Sequence, residues 1–160
     1  MAEMFLKLDG VEGESLDHAH ANEIEIQSWT WNTMNPVRWD LNQGGQSTKV
    51  QVHHIDLKKA CDKASVTLYQ NLVTGKHIKN AKITCRKNDG ENKFEYLIVE
   101  LTDLMVAKVE WTGAGDSQTL EETVHLSFAE FKLHYQVQGD SGDANGGKSF
   151  GFNVQRQMAS

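Results

Sequence analysis

The segment "FEYLIVEL", Phe94 to Leu101, decides how the rest of the chain is read. Its apolar residues fall on both parities, so neither face of a strand built from it suits water. Such a run belongs to a central strand packed on both sides. Outward from it in both directions the dominant period is two, the mark of half-buried strands. Upstream, Met4, Leu6 and Leu8 alternate with polar or larger neighbours, Ile24 and Ile26 share a face, and Val50/Val52 and Ile83/Cys85 repeat the pattern. Downstream lie "MVAKVEW", "ETVHLSF", "FKLHYQV" and "SFGFNVQ". Two changes of phase stand out. Trp29 and Trp31 have the opposite parity to Ile24 and Ile26, and Phe128 and Phe131 are an odd number of residues apart. Both predict a bulge or a strand covered on two sides.

One stretch breaks the rule. "DKASVTLYQNLVTG" carries Ala64, Leu68 and Leu72 at helical spacing, with Tyr69 and Val73 widening the stripe. Asp62 or Ser65 can accept a backbone N–H at its start, and Gly75 can close its end in the left-handed conformation. The segments between strands are turn-rich, with Asn88-Asp89-Gly90 a strong hairpin signal. Many short-spaced strands with one helix predict a closed or sandwiched antiparallel sheet.

The chain has 160 residues, enough for one domain with its own core, and neither composition nor repeats divide residues 1–160. A net charge of −6 argues against nucleic acid as the main partner, because phosphate binding needs a concentrated cationic surplus. No apolar run reaches membrane-spanning length, and "MAEMFLKLDG" does not read as a signal peptide. Cys61 and Cys85, far apart and outside any C-x-x-C pair, read as reduced thiols of a protein folded in the cytoplasm.

The run "GDSGDANGGKS", Gly139 to Ser149, carries two catalytic signatures in letters. Gly139-Asp140-Ser141-Gly142 resembles the nucleophile loop of trypsin-like proteases, but no upstream histidine stands in a matching setting. Gly142 to Ser149 fits the phosphate-cradling G-x-x-x-x-G-K-[ST]. That loop must open a helix, whereas Phe150, Phe152 and Val154 after it alternate as a strand does. The run reads as a polar hairpin loop leading into a last strand, Ser149 to Gln155. His18 and His20 form an H-x-H pair in a polar loop, short of the further ligands zinc needs. The carboxylate pair Glu23/Glu25 reads as a solvated strand face. No catalytic residues, cofactor or metal site emerge.

The collinear set "FLKLDGVEGES", "DHAHANEIEIQSWTW", "DKASVTLYQNLVTGKHIKNAKITCRK", "FEYLIVELTDLMVAKVEW" and "ETVHLSFAEFKLHY" resembles Hcp, the haemolysin-coregulated protein of bacterial type VI secretion systems. The resemblance runs from Phe5 to about Val154. It implies a mainly β fold, a compact β-barrel of two antiparallel sheets with one flanking α-helix, and no enzymatic activity. It further implies homohexameric rings that stack into an inner tube. The implied partners are a VgrG-like spike protein, a contractile sheath and small effector proteins, with neither nucleic acid nor membrane insertion. Location follows as cytoplasmic before assembly, then secreted through the machine without a signal peptide.

By the same resemblance, "WNTMNPVRWDLNQGGQS" is the extended loop that reaches neighbouring subunits, with Asn35, Pro36, Arg38, Trp39, Asp40 and Gln43 as contact candidates. It departs from the family's Gly/Ser-rich version at Pro36, Arg38 and Trp39. Thr30, between two tryptophans, is the candidate for the lumen and effector-facing wall, and on its residues alone reads equally as a sheet-surface threonine. Two alternatives stand beside this reading: a nucleotide-binding enzyme using Gly142–Ser149, and a monomeric β-barrel that binds a ligand.

Overall fold

The computed structural model describes residues 2–139 and 144–160. Its strands are β1 (Ala2–Leu8), β2 (Ile24–Glu25), β3 (Ser28–Met34), β4 (Arg38–Asp40), β5 (Gly44–Gln46), β6 (Gln51–Ala60), β7 (Ile78–Asp89), β8 (Asn92–Thr112), β9 (Glu121–Gln138), β10 (Ala144–Asn153) and β11 (Met158–Ala159). The helix α1 (Lys63–Thr74) joins β6 to β7. All strand pairs are antiparallel, and the fold is mainly β with one helix, as expected. The last strand differs from expectation: β10 begins at Ala144, well before Ser149, and β11 follows it.

Phe94 to Leu101 lies in β8, between β7 and β9. Val99 and Leu101 enter a core shared with Leu6, Leu8, Ile24, Ile55, Leu57, Ile83 and Leu126. Strand β8 runs on through Thr112, so "FEYLIVEL" and "MVAKVEW" are halves of one bent strand. The bend is at Asp103, whose φ of 51° is left-handed. There the inward-facing set changes parity, from Val99 and Leu101 to Leu104 and Val106. Strand β9 changes parity at the same level, so Phe128 and Phe131 both point inward, opposite Leu104 and Leu101. A corner where long strands pass from one sheet layer to another needs such a bend. Before the corner β9 pairs with β6, and beyond it with β10.

The strands follow a nearly closed circuit, β1–β7–β8–β9–β6–β3. It returns to β1 through the chain itself and not through a continuous ladder. Ile26 donates its N–H to Met4 at 3.0 Å, and the next residue, Gln27, donates to Lys58 at 2.8 Å. The segment thus changes neighbours within one peptide, which accounts for the changed phase of Trp29 and Trp31.

At the start of α1, Asp62 accepts from the Ala64 N–H while the Ser65 hydroxyl accepts from the Asp62 N–H, so both candidate caps are used reciprocally. Gly75 ends the helix at φ 62°. The stripe is narrower than predicted: Ala64, Leu68 and half-buried Leu72 pack inward, whereas Val66, Tyr69 and Val73 face out. Tyr69 instead leans on Trp111, ring centroids 5.1 Å apart.

Beneath the helix start, Lys59 is fully buried and binds Asp62 and Glu122 at 2.9 Å each and the Ser65 hydroxyl at 3.1 Å. Glu122, also buried, accepts the indole N–H of Trp111. Removing one partner of a buried ion pair strands the other, at a cost of about 3–5 kcal/mol. This cluster fastens α1 to β6, β8 and β9.

Candidate assembly surfaces

Residues 34–50 leave the barrel as an arm. Strands β4 and β5 form its hairpin, with Arg38 opposite Gln46, Trp39 opposite Gly45 and Asp40 opposite Gly44. Gly44 has φ 73°, which a side-chain-bearing residue rarely adopts. Gly45 makes room for Trp39, because a Cβ there would lie 2.8 Å from the indole ring. At the base, the Asn35 amide donates to the Ser47 hydroxyl at 2.8 Å, and the Thr48 hydroxyl donates to the Pro36 carbonyl at 3.1 Å. Near the tip, Gln46 donates to Gln43 at 2.8 Å. Among the described residues, these bonds stay within the arm.

The candidates Asn35, Pro36, Arg38, Trp39, Asp40 and Gln43 are therefore together on one projection, all exposed. Trp39 is 81% exposed, Leu41 is fully exposed, and Met34 and Val37 are about half so. Sequence reasoning singled out Trp39 but missed Leu41, Val37 and Met34. Their apolar character inside a turn-rich stretch was the available signal, since such residues normally find cover.

Thr30 is on the outer face of β3, opposite Asp56 of β6, which stands opposite His125 of β9 and then Lys108 of β8. His125 Nε2 lies 3.3 Å from the Asp56 carboxylate, and the His54 ring packs 6.3 Å from that of His125. The adjoining row is Ser28, Lys58, Thr123 and Glu110. A shallow groove runs across this surface, bordered by Thr30, Asn32, Val52, His54, Asp56 and His125. All of these side chains but Val52 end in polar groups.

The histidine pair reads differently in three dimensions. His18 is exposed, but His20 is buried, its Nδ1 2.9 Å from Glu23 and its Nε2 2.8 Å from Glu95. Its ring stacks on Phe5 at 4.4 Å, and the Arg86 guanidinium lies 5.0 Å from the centre of the same Phe5 ring. Arg86 is itself buried, bound to Glu3 at 2.5 and 2.8 Å and to Asp17 at 2.6 and 3.0 Å, with Lys93 on Asp17 at 3.1 Å. The hydrogen-bonding Arg86 guanidinium holds Asp17 and Glu3 below the usual carboxylate range. Residues 9–23 are thus a strap bound to β1, β7 and the start of β8, where it meets Lys93 and Glu95. Glu23 is not part of a solvated pair; it is taken by His20. Among the described residues, no cluster of three or more His, Cys, Asp or Glu is placed to hold a metal.

Of the signature run, residues 140–143, including Ser141, lie outside the described residues. Lys148 and Ser149 are in the β10 ladder, opposite Tyr135 and His134. A strand, not a helix N-terminus, carries them.

The family model described as "Type VI secretion system effector, Hcp" matches residues 5–135. Protein hcp1 of Pseudomonas aeruginosa is 36% identical over 157 residues, covering 98% of this chain and 97% of that protein. Among solved structures, Hcp1 from Salmonella typhimurium is similar with a TM-score of 0.83 at 36% identity, covering 99% of each chain. A structure described as a type six secretion system protein superposes with a TM-score of 0.94 at 26% identity over the full length of both chains.

Proposed function

The chain belongs to the Hcp family of type VI secretion proteins, which are structural and not enzymatic, and on that premise we propose that it is a single-domain protomer of the secretion tube. It forms hexameric rings that stack, and it carries small effector proteins within the ring. The observation that carries the reading is the arm: an indole 81% exposed beside a fully exposed leucine, on a hairpin that among the described residues pairs with itself. Burying a tryptophan side chain removes roughly 150–250 Å² from water, about 4–6 kcal/mol before ordering costs. A second ring supplies such cover, with Trp39 and Leu41 as anchors and Arg38, Asp40, Asn35 and Gln43 as the polar rim.

The Thr30 face suits the lumen wall, because a passage for folded cargo must stay wet and must not seize apolar surfaces. The spike and sheath are the remaining partners, and the protein waits in the cytoplasm before export.

Solution mass together with negative-stain imaging tests the assembly. Rings are expected, with Trp39→Ala and Leu41→Asp leaving rings intact and abolishing stacks. A protein that stays monomeric at high concentration would sink the reading. For cargo and export, the protein should appear in culture supernatant only when the secretion system is intact.

A further inference from the structure

Ser149 ends the P-loop-like run, and β10 places it opposite His134 of β9. The Ser149 hydroxyl lies 2.8 Å from His134 Nδ1, and His134 Nε2 lies 3.0 Å from the Glu100 carboxylate on β8. Three adjacent strands therefore present hydroxyl, imidazole and carboxylate in one hydrogen-bonded line. The carboxylate is acceptor-only, so it accepts a hydrogen bond from Nε2–H and fixes the tautomer. Nδ1 is then left with its lone pair, and the serine O–H donates to it. This is the base and orienting acid that Ser141 of the same run lacks in sequence.

Ser149 is itself exposed. The residues two before and two after it on its face are Gly147 and Gly151; Gly147 raises no side chain beside it, while the space over Gly151 is taken by Ser160, whose Oγ would lie 2.6 Å from a Cβ there. The carbonyl of Gly151 points away from β9, since it accepts from the Ser160 N–H at 2.9 Å. By strand alternation the Ser149 N–H points to that same outer edge. It supplies one donor for a developing oxyanion, where serine hydrolases use a pair.

We propose that Ser149 is an activated nucleophile, a modification site that accepts an acyl or phosphonyl group from an activated ester or fluoride. With a fluorophosphonate, the Ser149 oxygen forms the O–P bond, the P–F bond breaks and fluoride leaves. The hydroxyl proton passes to His134 Nδ1, and the imidazolium stays paired with Glu100 until it loses that proton to water. With a single oxyanion donor on an open sheet face, the adduct accumulates and does not turn over.

The full chain is treated with a tagged fluorophosphonate, and the adduct is located by tandem mass spectrometry. One adduct is expected, on Ser149. Ser149→Ala abolishes it, His134→Gln slows it by roughly tenfold or more, and Glu100→Gln slows it by a smaller factor. These are surface side chains, and circular dichroism confirms the variants fold. The assignment is overturned if no adduct forms, if His134→Gln labels as fast as the parent, or if adducts scatter evenly over other serines and tyrosines.

Discussion

The strap of residues 9–23 and the arm of residues 34–50 are both turn-rich excursions, and the molecule uses them in opposite ways. The strap is rich in charge, yet its His20 and Asp17 are drawn onto the sheet and bound to Glu23, Glu95 and Arg86. The arm carries Trp39, Leu41, Val37 and Met34, yet it holds these in water. Hydrophobicity alone would have placed them the other way round. Charges can be buried where each finds its counter-charge within the chain. Clustered apolar side chains left outside are the mark of a surface suited to a partner, the role proposed for the arm.

The contrast breaks most sharply at Arg86. Arg86→Ala takes the buried counter-charge from half-buried Glu3 and Asp17, leaving them the Asn88 amide and the exposed Lys93, and removes the cation beside Phe5, so a loss of about 3 kcal/mol is expected in chemical denaturation. A loss below about 1 kcal/mol, the range of an exposed pair, would show that the strap is not held by charge.

Acid probes the same contacts. Asp17 and Glu3 titrate below their unfolded values, so the unfolded chain binds protons more readily. Their stabilisation is complete above the ordinary carboxylate range and disappears as pH falls through the lowered folded values. Asp17→Asn should cost about 2 kcal/mol at neutral pH and flatten stability against pH below about 4. An unchanged acid limb in thermal unfolding would refute the assignment.

On the other side of the comparison, Trp39→Ala should change protomer stability by less than about 0.5 kcal/mol while removing stacking. A large destabilisation would mean that the arm packs on its own barrel. Gly45→Val is the mildest perturbation. It displaces the Trp39 ring, and sedimentation should show weakened stacks with an unaltered unfolding midpoint.

Much of this was legible in residues. The helix ends were, because Asp62, Ser65 and Gly75 act locally. The central position of Phe94–Leu101 between β7 and β9 was too, although its outer face, with half-buried Ile98 and exposed Glu100, is less covered than a run apolar on both parities implies. Tyr69 and Val73 misled because helical spacing reports a stripe and not what lies against it. His20 and Glu122 escaped because their partners, Glu95 and Lys59, are distant in sequence and carry no local signature. The final strand begins before the expected Ser149 because its glycines read as a turn: Gly146 takes a left-handed φ of 81° at a break in register, and the ladder with β9 runs on either side of it, from Ala144 and again from Gly147.

The corner at Asp103 has a consequence for how the gene can change. Both β8 and β9 switch parity there, and the register from Leu101–Phe131 to Leu104–Phe128 survives because both strands carry the same excess. Losing a residue near Asp103 alone would turn Leu104 and Val106 outward and break the match with β9. Losing one near Ala129 as well would realign the two strands, since β9 lies there between its pairings with β6 and β10. Insertions and deletions at this level are heritable only as couples, one in each strand.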